Sequence, residues 1–331
     1  MILVGDIGGT KTRLALSPFG APLTELSYEA IYASSQYKNL EDLVLEYLDS
    51  TACAVEVAVF GVAGPVVDGR VKLTNLPWVL DQDHLAKDLK LKRVVLVNDL
   101  VATAAAIPHL HESSLLTLNK GESISGGNRA VIAPGTGLGE AFMVRRGDRW
   151  QVCATEGGHT DFAPRDEQEQ ALLQELQKET GRVSCETVCA GPGITRIYRH
   201  LRKRYPQEES LRLREILAGG VEDPVPPIVG EAVNPEEASP LSVRTLRFYT
   251  SVLAAEAGNL ALKVMSTGGI YLGGGIPPRI LPFLREEGFL RSFMAKEPMS
   301  DLMVRMPIHV ILEPRAALLG AACWFQENEN T

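Results

Sequence analysis

The chain begins with the stretch ILVGDIGGTKT (residues 2–12), in which an apolar run ends on an acid and a glycine-rich turn. A second apolar run, Arg13 to Leu16, follows at once. Two short strands joined in this way form a β-hairpin whose tip is bare backbone. Glycines let the backbone amides at such a tip approach an anion closely, and the threonine adds a hydroxyl donor. The stretch therefore predicts a hairpin that can bind phosphate.

The same arrangement recurs in the middle of the chain. An apolar run over residues 130–133 leads into PGTGLG (residues 134–139), and Glu140 to Val144 follow as a second strand. A single turn of this kind is weak evidence, because most glycine hairpins are only hairpins. Two of them, each between apolar strands, indicate a pair of turns that hold a polyphosphate.

Neither turn is one of the common nucleotide-binding loops. The P-loop pattern is absent, and Lys11 falls too close to Gly8 and Gly9 to supply it. Residues 135–139 lack the spacing of a Rossmann fingerprint, and a strand follows them where that fold requires a helix. A dinucleotide-dependent dehydrogenase is therefore disfavoured.

Composition limits the classes of partner. The chain has 331 residues, 45% of them hydrophobic, which is enough for a large core and for two domains. A formal net charge of -8 disfavours a general nucleic-acid or anionic-membrane binder. The sequence shows no targeting segment and no apolar run long enough for a bilayer, and its five cysteines are scattered. We therefore expect a cytoplasmic protein with reduced thiols.

The order of the elements predicts an α/β fold. Strand and helix signals alternate over the first hundred residues, which describes a mixed sheet with helices packed against it. After about Pro108, glycine-rich hairpin strands precede long helical stretches such as Leu241 to Met265. The tail, Pro314 to Gln326, is predicted to form a helix that returns to the first domain.

Two polar residues follow a fully apolar strand. Val94 to Val97 delivers Asn98 and Asp99 to the carboxyl end of the strand, just before an alanine-rich helix. Ligands bind at that edge of α/β sheets. From this segment alone, it is equally plausible that Asp99 only caps the helix.

Three further segments carry candidate ligand-binding groups. Glu156 and His159 flank two glycines in a tight turn that can aim both side chains at a small polar ligand, although a lone histidine in a turn is more often structural. Glu186 follows Ser184, a predicted N-cap, and on local grounds it merely complements the helix dipole. The glycines at 273–275 end a strand. Backbone without side chains at this place would allow either a nucleoside to bind against it or a helix to pack closely.

These segments together resemble the ATP-dependent bacterial glucokinase family, within the sugar kinase, actin and Hsp70 superfold. The resemblance runs from residues 5–10 to residues 314–320. Its most specific parts are Asn98 with Asp99, residues 134–139, residues 156–164, and Glu186 with residues 190–193. It implies a two-domain actin-like ATPase fold of the ribonuclease H type, with mixed sheets and an interdomain cleft that holds the active site. The smaller domain would comprise residues 1–108 and 314–331, and the larger one residues 109–313.

The resemblance implies that D-glucose and ATP are the substrates, and it assigns roles to the candidate residues. Asp99 is expected to be the general base that takes the proton from the 6-hydroxyl of the sugar. The expected sugar-binding residues are Asn98, Asp99, Glu156, His159, Glu186 and, less strongly supported, Asn75. Carboxylates, an amide and an imidazole suit this task, because they can accept or donate hydrogen bonds to hydroxyl groups.

The resemblance also implies ATP and Mg²⁺ as cofactors. Asp6 is the expected Mg²⁺ ligand, through water. The expected nucleotide-binding residues are Asp6, Gly8, Gly9, Thr10, Lys11, Gly135, Thr136, Gly137, Gly273, Gly274 and Gly275. Lys11 departs from the asparagine associated with many members, and its charge can serve either ATP or a neighbouring carboxylate.

Other functions stay open at this level. A kinase of another hexose, such as mannose, fructose or glucosamine, would share the same hydroxyl-binding residues. A sugar sensor that no longer transfers phosphate would have less need of Asp99 and two phosphate turns, and an ATPase acting on protein partners would leave Glu156, His159 and Glu186 without a task. A homodimer is typical of the resembled family.

Overall fold

A computed structural model of the chain describes residues 1–19, 25–73 and 76–328. Asn75, one of the predicted sugar-binding residues, lies outside the described residues. In chain order, the strands of the described part are β1 Ile2–Ile7, β2 Lys11–Ser17, β3 Ser27–Ala33, β4 Val57–Val62, β5 Arg70–Lys72, β6 Val79–Asp81, β7 Arg93–Asn98, β8 Leu115–Asn119, β9 Arg129–Pro134, β10 Leu138–Arg146, β11 Arg149–Thr155, β12 Gly269–Leu272 and β13 Ile308–Ile311.

The α-helices complete the α/β fold predicted from the sequence. In chain order, they are α1 Leu40–Thr51, α2 Gln82–Asp88, α3 Asp99–Ala106, α4 Glu167–Thr180, α5 Cys185–Cys189, α6 Gly191–Arg204, α7 Leu211–Ala218, α8 Val225–Val233, α9 Pro240–Val264, α10 Leu281–Leu284, α11 Glu287–Met294, α12 Ser300–Arg305 and α13 Ala316–Asn328.

Both large sheets are mixed, as predicted. The first has the order β3-β2-β1-β4-β7. In it β1 pairs antiparallel with β2 but parallel with β4, and β4 is parallel to β7. The second has the order β11-β10-β9-β12-β13-β8, with β9 antiparallel to β10 and parallel to β12. Because β1, β4 and β7 are parallel, their carboxyl ends meet at one edge, where Asp6 and Asn98 are found.

The chain forms two compact units, each with its own hydrophobic core. One consists of residues 1–115, 145–154 and 313–331, and the other of residues 116–144 and 155–312. In the first unit, apolar residues fill both faces of the five-stranded sheet. In the second, α9 is buried along most of its length and packs in one cluster with α6 and with residues of β9 and β12.

Local sequence signals explain where several helices begin. Asn39 caps α1, and its side chain accepts a hydrogen bond from the amide of Asp42 at 2.8 Å. Ser184 caps α5 as predicted, in a reciprocal capping box with Thr187. These caps satisfy amides that a helix terminus leaves unpaired, so that the first turn is defined by the sequence itself.

The last helix of the described chain packs against the helix that begins with Asp99. Leu318, Ala321 and Phe325 of α13 join one core cluster with strand residues of the five-stranded sheet and with Ala102 of α3. At Gly320 the two helices are so close that a Cβ atom would overlap the carbonyl oxygen of Ala102. Helix α3, and with it the position of Asp99, is therefore supported from behind by the C-terminal helix.

We predict that Gly320→Ala lowers the free energy of unfolding by about 1–3 kcal/mol, because the added methyl group forces α13 away from α3. Thermal or denaturant unfolding measures the effect. Gly288→Ala is the matched control, because Gly288 is also helical and a Cβ atom there meets open space. Equal stability of the two variants would contradict this account of the packing.

Candidate active site

The first predicted hairpin is confirmed. Strands β1 and β2 pair from Ile2 with Ser17 to Ile7 with Thr12, and the amide of Gly8 donates to the carbonyl of Lys11 at 3.0 Å. This register leaves Gly8, Gly9 and Thr10 at the tip, with Thr10 and Lys11 exposed. A side chain at Gly8 would press on the carbonyl oxygen of Lys11, since its Cβ atom would lie 2.9 Å away. The turn is thus built from backbone that an anion can approach.

A serine that sequence reasoning missed supports this turn. Ser34, directly after β3, is fully buried, and its hydroxyl donates to the carbonyl of Gly8 at 2.8 Å. Its oxygen also lies 3.0 Å from the hydroxyl of Thr12, and its amide donates to the carbonyl of Thr10 at 3.1 Å. The sequence carries no motif for this role, because Ser34 reaches the turn only through the pairing of β2 with β3.

Asp6 lies near the carboxyl end of β1, beside the turn. Its register partners are Arg13 on β2 and Gly61 on β4. Burial raises the pKa of the Asp6 carboxyl, while the positive charge of Arg13 acts to lower that pKa. A single carboxylate next to a glycine turn that suits phosphate fits Mg²⁺, which prefers oxygen ligands and keeps much of its water. In the described part of the chain, no three His, Cys, Asp or Glu side chains converge as a metal site.

Asn98, and not Asp99, caps helix α3. The side-chain oxygen of Asn98 accepts hydrogen bonds from the amides of Leu100 at 2.9 Å and Val101 at 3.3 Å, and its nitrogen donates to the carbonyl of Gly64 at 3.1 Å. Asp99 is the first residue of the helix, where the helix dipole favours an ionised carboxylate. The capping role that the sequence left open for Asp99 therefore belongs to its neighbour.

The second predicted hairpin is also confirmed. Strands β9 and β10 pair antiparallel up to Pro134 with Leu138, which leaves Gly135, Thr136 and Gly137 at the tip. The amide of Gly135 donates to the carbonyl of Gly137 at 2.8 Å, and the carbonyl of Gly135 accepts from the amide of Gly191, the first residue of α6, at 2.8 Å. The turn is therefore held by its own backbone and by the start of a helix.

Glu186 connects this turn to the predicted sugar-binding residues. Its Oε2 atom accepts from the amide of Leu138 at 2.9 Å, and a Cβ atom at Gly137 would lie only 2.6 Å from the same oxygen. The other carboxylate oxygen, Oε1, lies 3.9 Å from Nδ1 of His159. Glu186 thus does more than complement the dipole of α5, because one oxygen accepts a hydrogen bond at the second hairpin and the other faces the imidazole.

The structure brings Glu156, His159 and Glu186 together. The imidazole lies between two carboxylates, with Nδ1 3.9 Å from Glu186 and Nε2 3.9 Å from Glu156. The side chains of His159 and Glu156 are 58% and 59% exposed, so that they remain open to a ligand. Two acceptors and a group that can donate or accept form a set suited to neighbouring hydroxyls.

A short backbone ladder holds the turn that carries Glu156 and His159. The amide of Cys185 donates to Thr160 at 2.9 Å, and that of Phe162 donates to Val183 at 3.1 Å. Arg182, which sequence reasoning missed, donates to the backbone carbonyl of His159 at 2.6 Å. The ladder and this guanidinium join two segments that are more than twenty residues apart in sequence.

The third predicted glycine turn adjoins both the second hairpin and an apolar cavity. Gly274 has a φ of +80°, and a Cβ atom there would lie 2.5 Å from the carbonyl oxygen of Pro134. Gly275 faces open space. Immediately beyond it, a cavity of about 440 Å³ is lined by Val225, Pro226, Val229, Gly230, Val233, Asn234, Ile276 and Arg279. Most of these groups are apolar, which suits the flat face of a heterocyclic base.

No helix in the described ranges is long and apolar enough to cross a bilayer.

A carboxylate that can accept a proton, side chains that pair with hydroxyls and hairpins that bind phosphate occur together in the sugar kinases of the actin-like ATPase fold. Comparison with known proteins supports that class. A solved glucokinase from an Antarctic psychrotroph has a TM-score of 0.80 and 30% identity, covering 100% of this chain and 99% of the other. A ROK family glucokinase from Streptomyces griseus, in complex with glucose and AMPPNP, has a TM-score of 0.65 at 21% identity, covering 97% of each chain, and supports the fold alone.

Sequence comparisons identify the family. The glucokinase family model matches residues 3–328. A glucokinase from Nostoc sp. is 40% identical over 336 residues, which cover 97% of this chain and 98% of the relative. The chain belongs to the glucokinase family, and it is an ATP-dependent hexose kinase that phosphorylates glucose.

We predict that Ser34→Ala raises the KM for ATP by about three- to tenfold and leaves the KM for glucose unchanged. The variant loses the hydrogen bond that holds the first phosphate turn, a loss of about 1 kcal/mol. Initial rates with each substrate varied in turn measure the split. Ser35→Ala, at the exposed neighbouring position, is the control. An unchanged KM for ATP in Ser34→Ala would show that this bond does not matter for the nucleotide.

Proposed function

We propose that this chain transfers the γ-phosphoryl group of ATP to the 6-hydroxyl of D-glucose through the residues described above. The observation that carries the assignment of residues is the convergence of Glu156, His159 and Glu186, combined with the hydrogen bond from Leu138 to Glu186. That bond ties a hydroxyl-binding cluster to a phosphate-binding turn, as expected of an enzyme that joins a sugar to a phosphate.

Asp99 is the proposed general base. As the 6-hydroxyl oxygen forms a bond to the γ-phosphorus, its proton passes to the carboxylate of Asp99, and the bond between the γ-phosphorus and the bridging oxygen breaks to release ADP. Its place as the first residue of α3 favours the ionised form that a base requires. Phosphoryl transfer depends mainly on positioning and on stabilisation of charge, so the rigid support of α3 by α13 contributes directly.

The remaining sugar contacts are divided among several side chains. Glu156, His159 and Glu186 are assigned to the ring hydroxyls. Asn98 uses its oxygen as the helix cap, and its amide nitrogen carries two hydrogens, of which one is donated to Gly64, so a second hydrogen is available for the sugar. Asn75 stays a prediction. A pocket that pairs with each hydroxyl discriminates against epimers, because an epimer leaves a buried polar group unpaired.

The two glycine hairpins are the proposed binding sites for the phosphates. Backbone amides at Gly8 to Thr10 and at Gly135 to Gly137 supply donors, and Lys11 adds a positive charge at the first turn. The apolar cavity next to Gly275 is the proposed site of the adenine base. Val229 and Ile276 line the cavity and would provide aliphatic contacts to the base, and Arg279 can stack on the base.

Mg²⁺ is the proposed metal, with Asp6 holding it through water. When bound, the ion would supply positive charge to the phosphate oxygens. The residues of this chain then orient the nucleotide and the sugar and exclude water from the γ-phosphate. The resemblance to the family supports a cytoplasmic homodimer, and the domain division at residues 1–108 with 314–331 and residues 109–313 stays a prediction.

We predict that Asp99→Asn lowers the rate of glucose-dependent ADP formation by about 10²- to 10⁴-fold, the range expected on loss of a general base, while the dissociation constant of glucose changes only a few-fold. A coupled assay for ADP with Mg²⁺-ATP, run with and without glucose, gives the rate, and calorimetry gives the affinity. Asp83→Asn, which alters a first-turn acid of α2 in the same unit, is the control. Near-normal turnover in Asp99→Asn, or ADP release by the wild type without sugar, would contradict the assignment.

We predict that Gly230→Leu raises the KM for ATP by about tenfold or more and leaves the affinity for glucose unchanged. Gly230 lines the proposed adenine cavity, and a side chain there enters open space, so the leucine fills the cavity without disturbing α8. Gly288→Leu places the same side chain on another helix, also in open space, and serves as the matched control. An unchanged KM for ATP in Gly230→Leu would place the base elsewhere.

A further inference from the structure

A buried glutamate lies directly beneath the sugar-binding turn. Glu140, on β10 and only three residues beyond Gly137, is 3% exposed. A Cβ atom at Gly157 would overlap its Oε2 atom, and a Cβ atom at Gly158 would overlap the carbonyl oxygen of Leu138 on the same strand. The turn between Glu156 and His159 therefore rests on β10, with the carboxyl group of Glu140 as part of the supporting surface.

The groups that face Glu140 come from two helices. Glu256 and Lys263 belong to α9, and Cys185 and Cys189 belong to α5. Burial first, and the Glu256 carboxylate second, raise the pKa of the Cys185 thiol to about 12, so this thiol is neutral. The charge of Lys263 lies 3.9 Å from Glu256 on a side chain that is 56% exposed. Glu140 thus faces one buried acid and one largely solvated base.

Neither of the two acids has all of its oxygens paired. The Oε1 atoms of Glu140 and Glu256 are both buried without a hydrogen-bond partner. The Oε2 atom of Glu256, in contrast, accepts from the thiol of Cys185 at 3.2 Å and from the amide of Asn259 at 2.9 Å. A buried carboxylate with an unpaired oxygen is costly when it is ionised, and the charge of a second acid that acts on it adds to that cost. Glu256 has the better set of donors, which leaves Glu140 as the acid that holds a proton.

The titration of Glu140 agrees with this geometry. Burial first, and the neighbouring Glu256 second, raise the pKa of Glu140 to about 7, and Lys263 opposes them. Glu140 is thus neutral below about pH 7 and ionised above it. The mechanism described above makes no use of this proton.

Glu256, the acid that acts on Glu140, contacts the second sugar-binding segment. Cys185, which donates to Glu256, immediately precedes Glu186 in sequence, and its sulfur lies 3.6 Å from the hydroxyl of Thr160. Thr160 in turn follows His159. A change of charge at Glu140 therefore acts on a region that borders both His159 and Glu186.

We propose that Glu140 is a positioning residue whose neutral carboxyl group supports the turn of Glu156 and His159, so that binding of glucose takes up a proton at Glu140. The inference rests on the proposed assignment of that turn to glucose. When Glu140 is ionised, its charge beneath the turn repels Glu156, Glu186 and Glu256 and displaces the sugar-binding groups. Affinity for glucose is therefore full below about pH 7 and falls as the pH rises through that value.

Calorimetry of glucose binding in buffers with different ionisation enthalpies tests the proposal. At about pH 8, the wild type is expected to take up close to one proton per glucose, and its dissociation constant is expected to rise about twenty- to thirtyfold between pH 6.5 and 8.5. Glu140→Gln mimics the neutral acid. Glucose binding to this variant should therefore take up about one proton fewer than in the wild type, and its affinity for glucose should stay constant over this pH range. Comparing the two proteins isolates Glu140 from the other ionisable groups of the site, which both retain.

Two further variants complete the test. Glu179→Gln, at an exposed position on α4, should leave the proton uptake unchanged. Glu256→Gln removes the neighbouring charge, so the pH at which affinity begins to fall should move to a lower value. This variant decides the matter if Glu140→Gln does not fold. If Glu256→Gln leaves the pH at which the affinity for glucose begins to fall unchanged, the proposal is overturned.

The outcomes distinguish failure of the role proposed for Glu140 from failure of the proposed function. Tight glucose binding with the same proton uptake in the wild type and in Glu140→Gln overturns the role of Glu140 and leaves the proposed function intact. Absence of glucose binding in the wild type overturns both. If proton uptake on glucose binding is lost in Glu140→Gln but kept in Glu179→Gln, the proposal is supported, because a merely structural role would not change the proton uptake.

Discussion

The site in the second unit depends on the backbone of one residue, Leu138. Its amide donates to Glu186, and its carbonyl oxygen packs so closely under Gly158 that only glycine fits there. Because Leu138 also closes the Gly135–Gly137 hairpin, the proposed phosphate turn and the proposed sugar-binding cluster share one strand. A shift of this strand by a fraction of an ångström would move both sets of ligand groups together, and phosphoryl transfer is sensitive to displacements of that size.

In the first unit, a structural role and a proposed catalytic role belong to adjacent residues. Asn98 caps α3, and the capped helix then starts with Asp99 at the sheet edge. Glycines on two other elements permit the close approach that holds this helix in place. Gly61 on β4 faces Ala102 and Asp99, and Gly320 on α13 faces the backbone of Ala102. The helix dipole favours a carboxylate at this position, which suits the role proposed for Asp99.

Most of the local structure could be predicted from the sequence, since it depends on short-range chemistry. Apolar alternation, glycine turns and capping side chains act over a few residues, and the two hairpins, the caps at Asn39 and Ser184 and the terminal helix all follow from them. The choice between Asn98 and Asp99 as a cap could not be predicted, because both residue types cap well and the difference lies in backbone angles. Ser34 and Arg182 were missed because their partners are set by strand pairing and by a ladder between distant segments.

By itself, the sequence determined which chemical groups are available and which short segments carry them. These are two glycine turns of bare backbone, an acid at the end of a buried strand, and the acids and imidazole of another glycine turn. Tertiary structure decided which of those groups act together. Glu186 meets His159, and Glu140 meets Gly157, only because β10 lies beneath a turn and a helix that come later in the chain. Contacts of this kind follow from the packing of whole elements around a core, and packing depends on all the elements at once, so no short stretch of sequence contains it.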